Sequence, residues 1–136
     1  MIRHYALTLG PYRRGFHLIT SEIVDAVIEW PQNGIMHVFL RHTSAGICIN
    51  ENADQSVRDD FKLYFELLAP EEVPGITHDM EGPDDMPAHI KSTITGISVD
   101  IPIVNSKLGL GTWQGIYLCE FRNRATRREV IISILD

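Results

Sequence analysis

The densest chemistry in the chain lies in His78-Asp79-Met80-Glu81-Gly82-Pro83-Asp84-Asp85-Met86-Pro87-Ala88-His89-Ile90-Lys91-Ser92. Fifteen residues carry two imidazoles, four carboxylates, two prolines and a glycine, with little apolar filler. A core segment has no such composition. Gly82-Pro83 forces a turn, and Asp85 or Met86 is expected to cap a helix that has Pro87 in its first position. His89 then falls in the opening turn, where free backbone N–H groups and the positive dipole end favour anions. An imidazole beside such donors suits a phosphate, whereas two histidines among carboxylates suit a divalent cation. The spacing is not that of a tight H-E-x-x-H metal motif, and the plain alternative is a solvated acidic loop.

A second segment, His42-Thr43-Ser44-Ala45-Gly46-Ile47-Cys48-Ile49-Asn50-Glu51-Asn52, follows the strongly apolar run 35–41. That run reads as a central strand, and His37 within it as a satisfied core or interface histidine rather than a ligand. His42 shares the period-two face of Leu40, so it sits where a core strand surfaces. Thr43 and Ser44 offer hydroxyls and turn donors able to cradle a phosphate. The alternative is a hairpin loop using Thr, Ser and Gly for turn geometry. Further on, Thr112, Gln114, Ile116, Leu118 and Glu120 share one strand face, and a carboxylate so placed usually has a partner. Arg122, Arg124, Arg127 and Arg128 form a basic island on an acidic chain, suited to an anionic substrate.

The elements that must position these groups follow from periodicity. Strands are expected over 2–9, 15–20 and 35–41, a short helix over 22–30, and a returning strand at 47–49. Asp54 starts a helix to about Leu68; the helix after Pro87 should run to about Thr95 and stop at Gly96. Ile97, Val99, Ile101 and Ile103 alternate as an edge strand or bulge around Pro102. Strands at 112–122 and 129–135 close the chain. About eight strands and three helices in irregular order imply an α+β fold, largely antiparallel and two-layered, with the helices on one side.

At 136 residues, 44% hydrophobic and 22% charged, the chain makes one domain, and composition excludes disorder, collagen and coiled coil. No apolar run approaches the ~20 residues of a membrane span, and the N-terminus lacks signal-peptide architecture. Cys48 and Cys119, each in an apolar run, read as buried thiols in a reducing cytoplasm, with a disulfide the less favoured option. A net charge of −6 argues against nucleic-acid or anionic-membrane partners. Gly109-x-Gly111-x-x-x-Gly115 precedes a strand and lacks the dinucleotide spacing, so no nucleotide cofactor is expected.

Taken together, His42-Thr43-Ser44-Ala45 with Ile49-Asn50-Glu51-Asn52, His78-Asp79, Ala88-His89-Ile90-Lys91-Ser92, and Leu108-Gly109-Leu110-Gly111-Thr112-Trp113-Gln114 with Glu120 resemble the YjbQ family over nearly the whole chain. That resemblance implies a homotrimer of an α+β fold. It also implies a secondary thiamine-phosphate synthase activity, joining a pyrimidine-methyl pyrophosphate to a thiazole phosphate with loss of pyrophosphate. The corresponding positions are His42, His78, His89 and Glu120 as catalytic residues. Ser44, Asn50, Asp79, Lys91, Thr112, Gln114 and Arg128 would bind ligand. Expelling pyrophosphate requires its charge to be neutralised. Asp79 with Glu81 or Glu120 could hold a divalent metal such as Mg or Zn, while His89, Lys91 and Arg128 could meet phosphates. The familiar thiamine-phosphate synthase is a TIM barrel, too large for this chain. Two other classes stay open: a metal-dependent hydrolase or lyase with His42, His78 and His89 as ligands, and a non-catalytic module that binds a small phosphorylated metabolite.

Overall fold

Antiparallel pairing throughout gives two sheets, one of five strands and one of three. The computed structural model describes residues 1–136. Its elements are β1 Ile2–Leu9, β2 Gly15–Leu18, α1 Thr20–Ala26, β3 Asn33–Leu40, β4 Ala45–Glu51, α2 Gln55–Leu68, α3 Asp85–Thr95, β5 Ser98–Val104, β6 Lys107–Leu108, β7 Gln114–Glu120 and β8 Arg128–Leu135. The large sheet has the order β1-β8-β3-β5-β6 and the small one β2-β7-β4. The α+β class read from the sequence holds.

Alternation decides which side chains meet. Met36, Val38 and Leu40 of β3, Ile101 and Ile103 of β5, and Val130, Ile132 and Ile134 of β8 face inward from the large sheet. They pack on Ala45, Ile47, Ile116 and Leu118 of the small one. Ile19, Ile23 and Val27, spaced four apart along α1, join the same core, so α1 belongs to the sandwich. The other face of the small sheet carries Tyr117 and Cys119, which pack with Phe121, Phe16, Phe65 of α2 and Ala88 of α3. The order is therefore large sheet, small sheet, then α2 and α3. Nothing in the chain covers the outer face of the large sheet. Its cross-strand rows read Ile2-Leu135-Ile35-Pro102, then His4-Ser133-His37-Asp100, then Ala6-Ile131-Phe39-Ser98.

The helix ends set the site. Asp54 caps α2 by accepting from the Ser56 N–H at 2.9 Å. Gly96, at φ 89°, ends α3 and returns its N–H to the Ser92 carbonyl at 2.8 Å. Gly46 lies where this end of α3 crosses β4: a Cβ there would stand 2.8 Å from the Thr95 side chain. At its start α3 departs from the sequence reading. It begins at Asp85, so Pro87 is its third residue rather than its first. A proline costs nothing there, because N–H groups of the first turn have no intrahelical partner. Asp84 and Asp85 are held from outside the helix, and that anchoring starts it two residues early. His89 consequently lies beyond the opening turn, and the expected pairing of its imidazole with free helix N–H groups is corrected.

Candidate functional site

Asp85 and His89 stand four residues apart and therefore on one face of α3. The loop before the helix adds His78 and Glu81. His78 Nε2 lies 2.7 Å from Asp85 Oδ2, and His89 Nε2 lies 3.1 Å from the same oxygen. Glu81 Oε2 is 3.5 Å from His78 Nε2. One ligand atom from each of these four residues fits within a 4.8 Å span. Donors around a tetrahedral ion at about 2.0–2.1 Å are roughly 3.3–3.4 Å apart, so the group has the dimensions of a metal-ligand set.

Its electrostatics point the same way. Asp85 is 2% exposed, and its Oδ1 accepts from Arg122 Nη1. Arg122 also donates from Nε to Asp84 Oδ2 at 2.9 Å and from Nη2 to the Glu81 carbonyl at 2.8 Å. Burial opposes ionisation of Asp85, but the His78 hydrogen bond and the Arg122 charge outweigh it and bring the carboxyl down to about 2. The Asp85 hydrogen bond in turn raises His78. His89 Nδ1 is 2.8 Å from the Thr43 carbonyl, which can only accept, so that nitrogen carries the hydrogen. The Nε2 of a neutral His89 then turns its lone pair toward a carboxylate oxygen. Only a second proton or a cation makes that contact attractive.

The segment after β3 builds an adjoining part. His42 Nε2 accepts the Glu129 N–H at 2.7 Å, which leaves its proton on Nδ1. Burial, and then the charge of Arg128, lower its pKa, so His42 favours the neutral form. Arg128 and Glu120 form a buried ion pair, with Nε to Oε1 at 2.7 Å, and Arg128 Nη1 donates to Ser44 Oγ at 3.0 Å. A cleft of about 330 Å³ is lined by His42, Thr43, His89, Ser92, Thr93, Gly96 and Ile97, with no carboxylate among them. A second cleft, of about 240 Å³, is lined by His78, Asp79, Glu71 and Glu72 among others. The His78–Asp85–His89 group stands between an uncharged, hydroxyl-bearing cleft and an acidic one.

The structure thus gathers His78 and His89, with ring centroids 5.4 Å apart, and sets His42 on the same cleft as His89. Glu120 has the partner its position demanded, and the Arg128 it pairs with lies behind Ser44. Asp79 is exposed in the acidic cleft. Lys91 is buried and binds Glu66 Oε1 at 2.9 Å, so it braces α3 against α2. Asn50, Thr112 and Gln114 lie elsewhere. Asn50 Oδ1 accepts the Glu51 N–H, Gln114 Oε1 accepts the Gly111 N–H, and the Thr112 carbonyl accepts from Asn52. The β4–β7 register runs from Ala45↔Glu120 at one end to Glu51↔Gln114 at the other, roughly 20 Å of strand. Asp85 and Arg122 are the members that sequence reasoning missed. The signal for Asp85 was its four-residue spacing to His89, hidden once Pro87 was made the first helical residue.

The whole chain has known likenesses. A family described as UPF0047 protein YjbQ-like matches residues 5–136. The UPF0047 protein YjbQ of Salmonella typhimurium is 44% identical over 130 residues, covering 94% of each chain. The UPF0047 protein sll1880 of Synechocystis is 45% identical, over 94% of this chain and 88% of that one. Among solved structures, the conserved hypothetical protein TT1486 of Thermus thermophilus superposes with a TM-score of 0.85 at 32% identity, covering 96% of this chain and 98% of its own. A match across all but the first four residues, together with two relatives above 40% identity, settles the family: the chain belongs to the UPF0047 YjbQ-like proteins.

Proposed function

We propose that the protein binds a divalent cation through His78, Asp85 and His89, with Glu81 beside them, and uses it on a small phosphorylated metabolite in the His42–Ser92 cleft. One observation carries this reading: a single buried carboxylate oxygen faces two imidazole nitrogens while its twin is held by Arg122. When bound, such an ion would neutralise phosphate charge. The chain's own groups do the rest. Ser92 and Thr93 line the cleft, with the Thr93 hydroxyl donating to the His89 carbonyl at 2.9 Å, and His42 carries its proton on Nδ1. Arg128 fixes Ser44 from behind. The transferase reaction implied by the YjbQ resemblance, with pyrophosphate leaving, falls within this class of chemistry. The test is calorimetric titration of chelator-treated protein with zinc or manganese, followed by pyrophosphate. The expected result is one ion per chain, lost in a His78→Ala/His89→Ala double variant, and pyrophosphate binding that depends on the ion. A chelated protein that takes up no ion at micromolar concentration would end the proposal.

We also propose that the protein is a closed homotrimer in the cytoplasm. The uncovered outer face of the large sheet, with Ile2, Ile35, Phe39 and Leu135 exposed on it, supports burial against further copies of the chain. Asn50, Thr112 and Gln114, stranded at the far end of the small sheet, would then be free to approach a neighbouring subunit. The unbridged Cys48 and Cys119, with sulfurs 3.7 Å apart, support a reducing compartment. No helix is long and apolar enough to cross a membrane.

A further inference from the structure

We infer that Arg122 sets which cations the site accepts, by restricting Asp85 to one-oxygen ligation and so favouring imidazole-seeking ions such as zinc, cobalt and nickel over manganese, magnesium and calcium. The inference rests on the metal reading proposed above and goes further, because it names the class of ion and the residue that selects it. All three guanidinium nitrogens are committed: Nε to Asp84 Oδ2, Nη1 to Asp85 Oδ1 and Nη2 to the Glu81 carbonyl. Asp84 is tied down a second time by the Asn123 N–H at 2.9 Å, so the fork cannot slide. Arg122 directly follows Phe121, which is 3% exposed in the smaller core, and this anchors its backbone. The consequence falls on Asp85. One of its two oxygens is occupied by a cation, and the other is the single carboxylate atom turned toward His78 and His89.

Hard cations respond badly to that arrangement. Magnesium and calcium draw affinity from the number and charge of oxygen ligands, and calcium commonly takes both oxygens of a carboxylate. Here the guanidinium withdraws one oxygen and offsets the charge of the other. Two imidazole nitrogens and one carboxylate oxygen remain, a donor set that suits zinc and its first-row neighbours. Glu81, exposed and free of any arginine side-chain contact to its carboxylate, is the adjustable fourth donor. Arg122 is therefore a positioning residue: it acts through Asp85 and need not touch the ion.

The experiment compares zinc, manganese, magnesium and calcium binding by calorimetry in the wild type, Arg122→Gln and Asp84→Asn. Circular dichroism confirms that each is folded at the titration temperature. Arg122→Gln frees the second oxygen and should narrow the preference for zinc over magnesium by at least roughly tenfold, the usual size of an outer-sphere effect. Asp84→Asn loosens the fork but leaves Asp85 paired, so it should keep most of the preference. X-ray absorption on the zinc-loaded wild type gives an answer even if Arg122→Gln does not fold. One-oxygen carboxylate ligation supports the inference and two-oxygen ligation overturns it. An unchanged preference in folded Arg122→Gln also overturns it, leaving Arg122 a clamp of the fold. Absence of any ion in the wild type instead overturns the metal reading itself, so the two failures are distinct.

Discussion

Replacing Asp85 by asparagine tests the centre of the site, because it changes charge and leaves shape almost alone. The amide oxygen can still accept from Arg122, and the amide NH₂ can donate to an imidazole nitrogen. What disappears is the anion. The carboxyl lies at about 2 against an ordinary 3.8, a difference worth roughly 2 kcal/mol of folding free energy at neutral pH. The sign follows from proton uptake. Because the folded value is the lower one, the unfolded chain binds its proton first as pH falls. The contribution is complete above about pH 5 and is lost toward pH 2. In urea titrations with chelator present, Asp85→Asn should be less stable than wild type by about 2 kcal/mol at pH 7, and that gap should close between about pH 5 and pH 2. In zinc titrations at pH 7 its affinity should fall by at least roughly 100-fold, more than an outer-sphere change costs. A gap that persists unchanged to the acid end would mean that Asp85 is not the depressed carboxyl. Unchanged zinc affinity in a folded variant would remove Asp85 from the ligand set.

Arg128→Met strands the fully buried Glu120 carboxylate and should cost about 3–5 kcal/mol by urea unfolding, most of it recovered in the Arg128→Met/Glu120→Leu double variant. His42 favours its neutral form in the folded chain, so wild-type stability should decline as pH falls below the ordinary value of 6.5 toward the lower folded one. His42→Gln, which can still accept the Glu129 N–H, should lack that part of the decline in thermal melts run across this range. Ile35→Glu places a charge on the central strand of the uncovered sheet face and should yield monomers by light scattering, and an unchanged assembly would move the interface elsewhere.

The fold was legible because alternation writes itself into sequence: β1 spans the expected residues 2–9, and β3 and β8 match to within two residues at either end. Each long strand has one face in the core, so period two survives in its composition. His78 and His89 were legible as candidates from the polar density beside Gly82-Pro83, although that density did not mean exposure: Asp84, Asp85, Lys91 and Ser92 of the same stretch are buried. What stayed hidden needed three dimensions. Arg122 reaches Asp84 and Asp85 across 37 or more positions, and no local pattern reports such a contact. Lys91 entered as a phosphate contact through the family resemblance, yet it is 1% exposed, with its ammonium on Glu66 of α2. Asn50, Thr112 and Gln114 were grouped with Ser44 and Arg128 by the family resemblance, which carries no distances, and the length of the seven-residue strand β4 separates Asn50 from the Ser44 end within one chain.

Charge balance around the site implies an order of binding. Glu66, Glu71, Asp84, Asp85 and Glu120 are matched by Arg14, Lys91, Arg122 and Arg128, five carboxylates against four cations. Glu72, Asp79 and Glu81 have no lysine or arginine partner, so the neighbourhood carries a charge of −4 when its histidines are neutral. A phosphate dianion approaching this region meets like charge within a Debye length of about 8 Å, on a protein already at −6. One divalent cation offsets half of that charge, and the carboxylate-free cleft beside His89 then becomes the natural place for an anion. Pyrophosphate should therefore bind the zinc-loaded protein at least roughly tenfold more tightly than the chelated one, equivalent to about 1.4 kcal/mol of coupling. By reciprocity, pyrophosphate should tighten zinc by the same factor. Both arms can be measured by calorimetry on a single preparation. Equal pyrophosphate affinity with and without the ion would show that anion and cation sites are independent, and the cleft would then be a binding pocket in its own right.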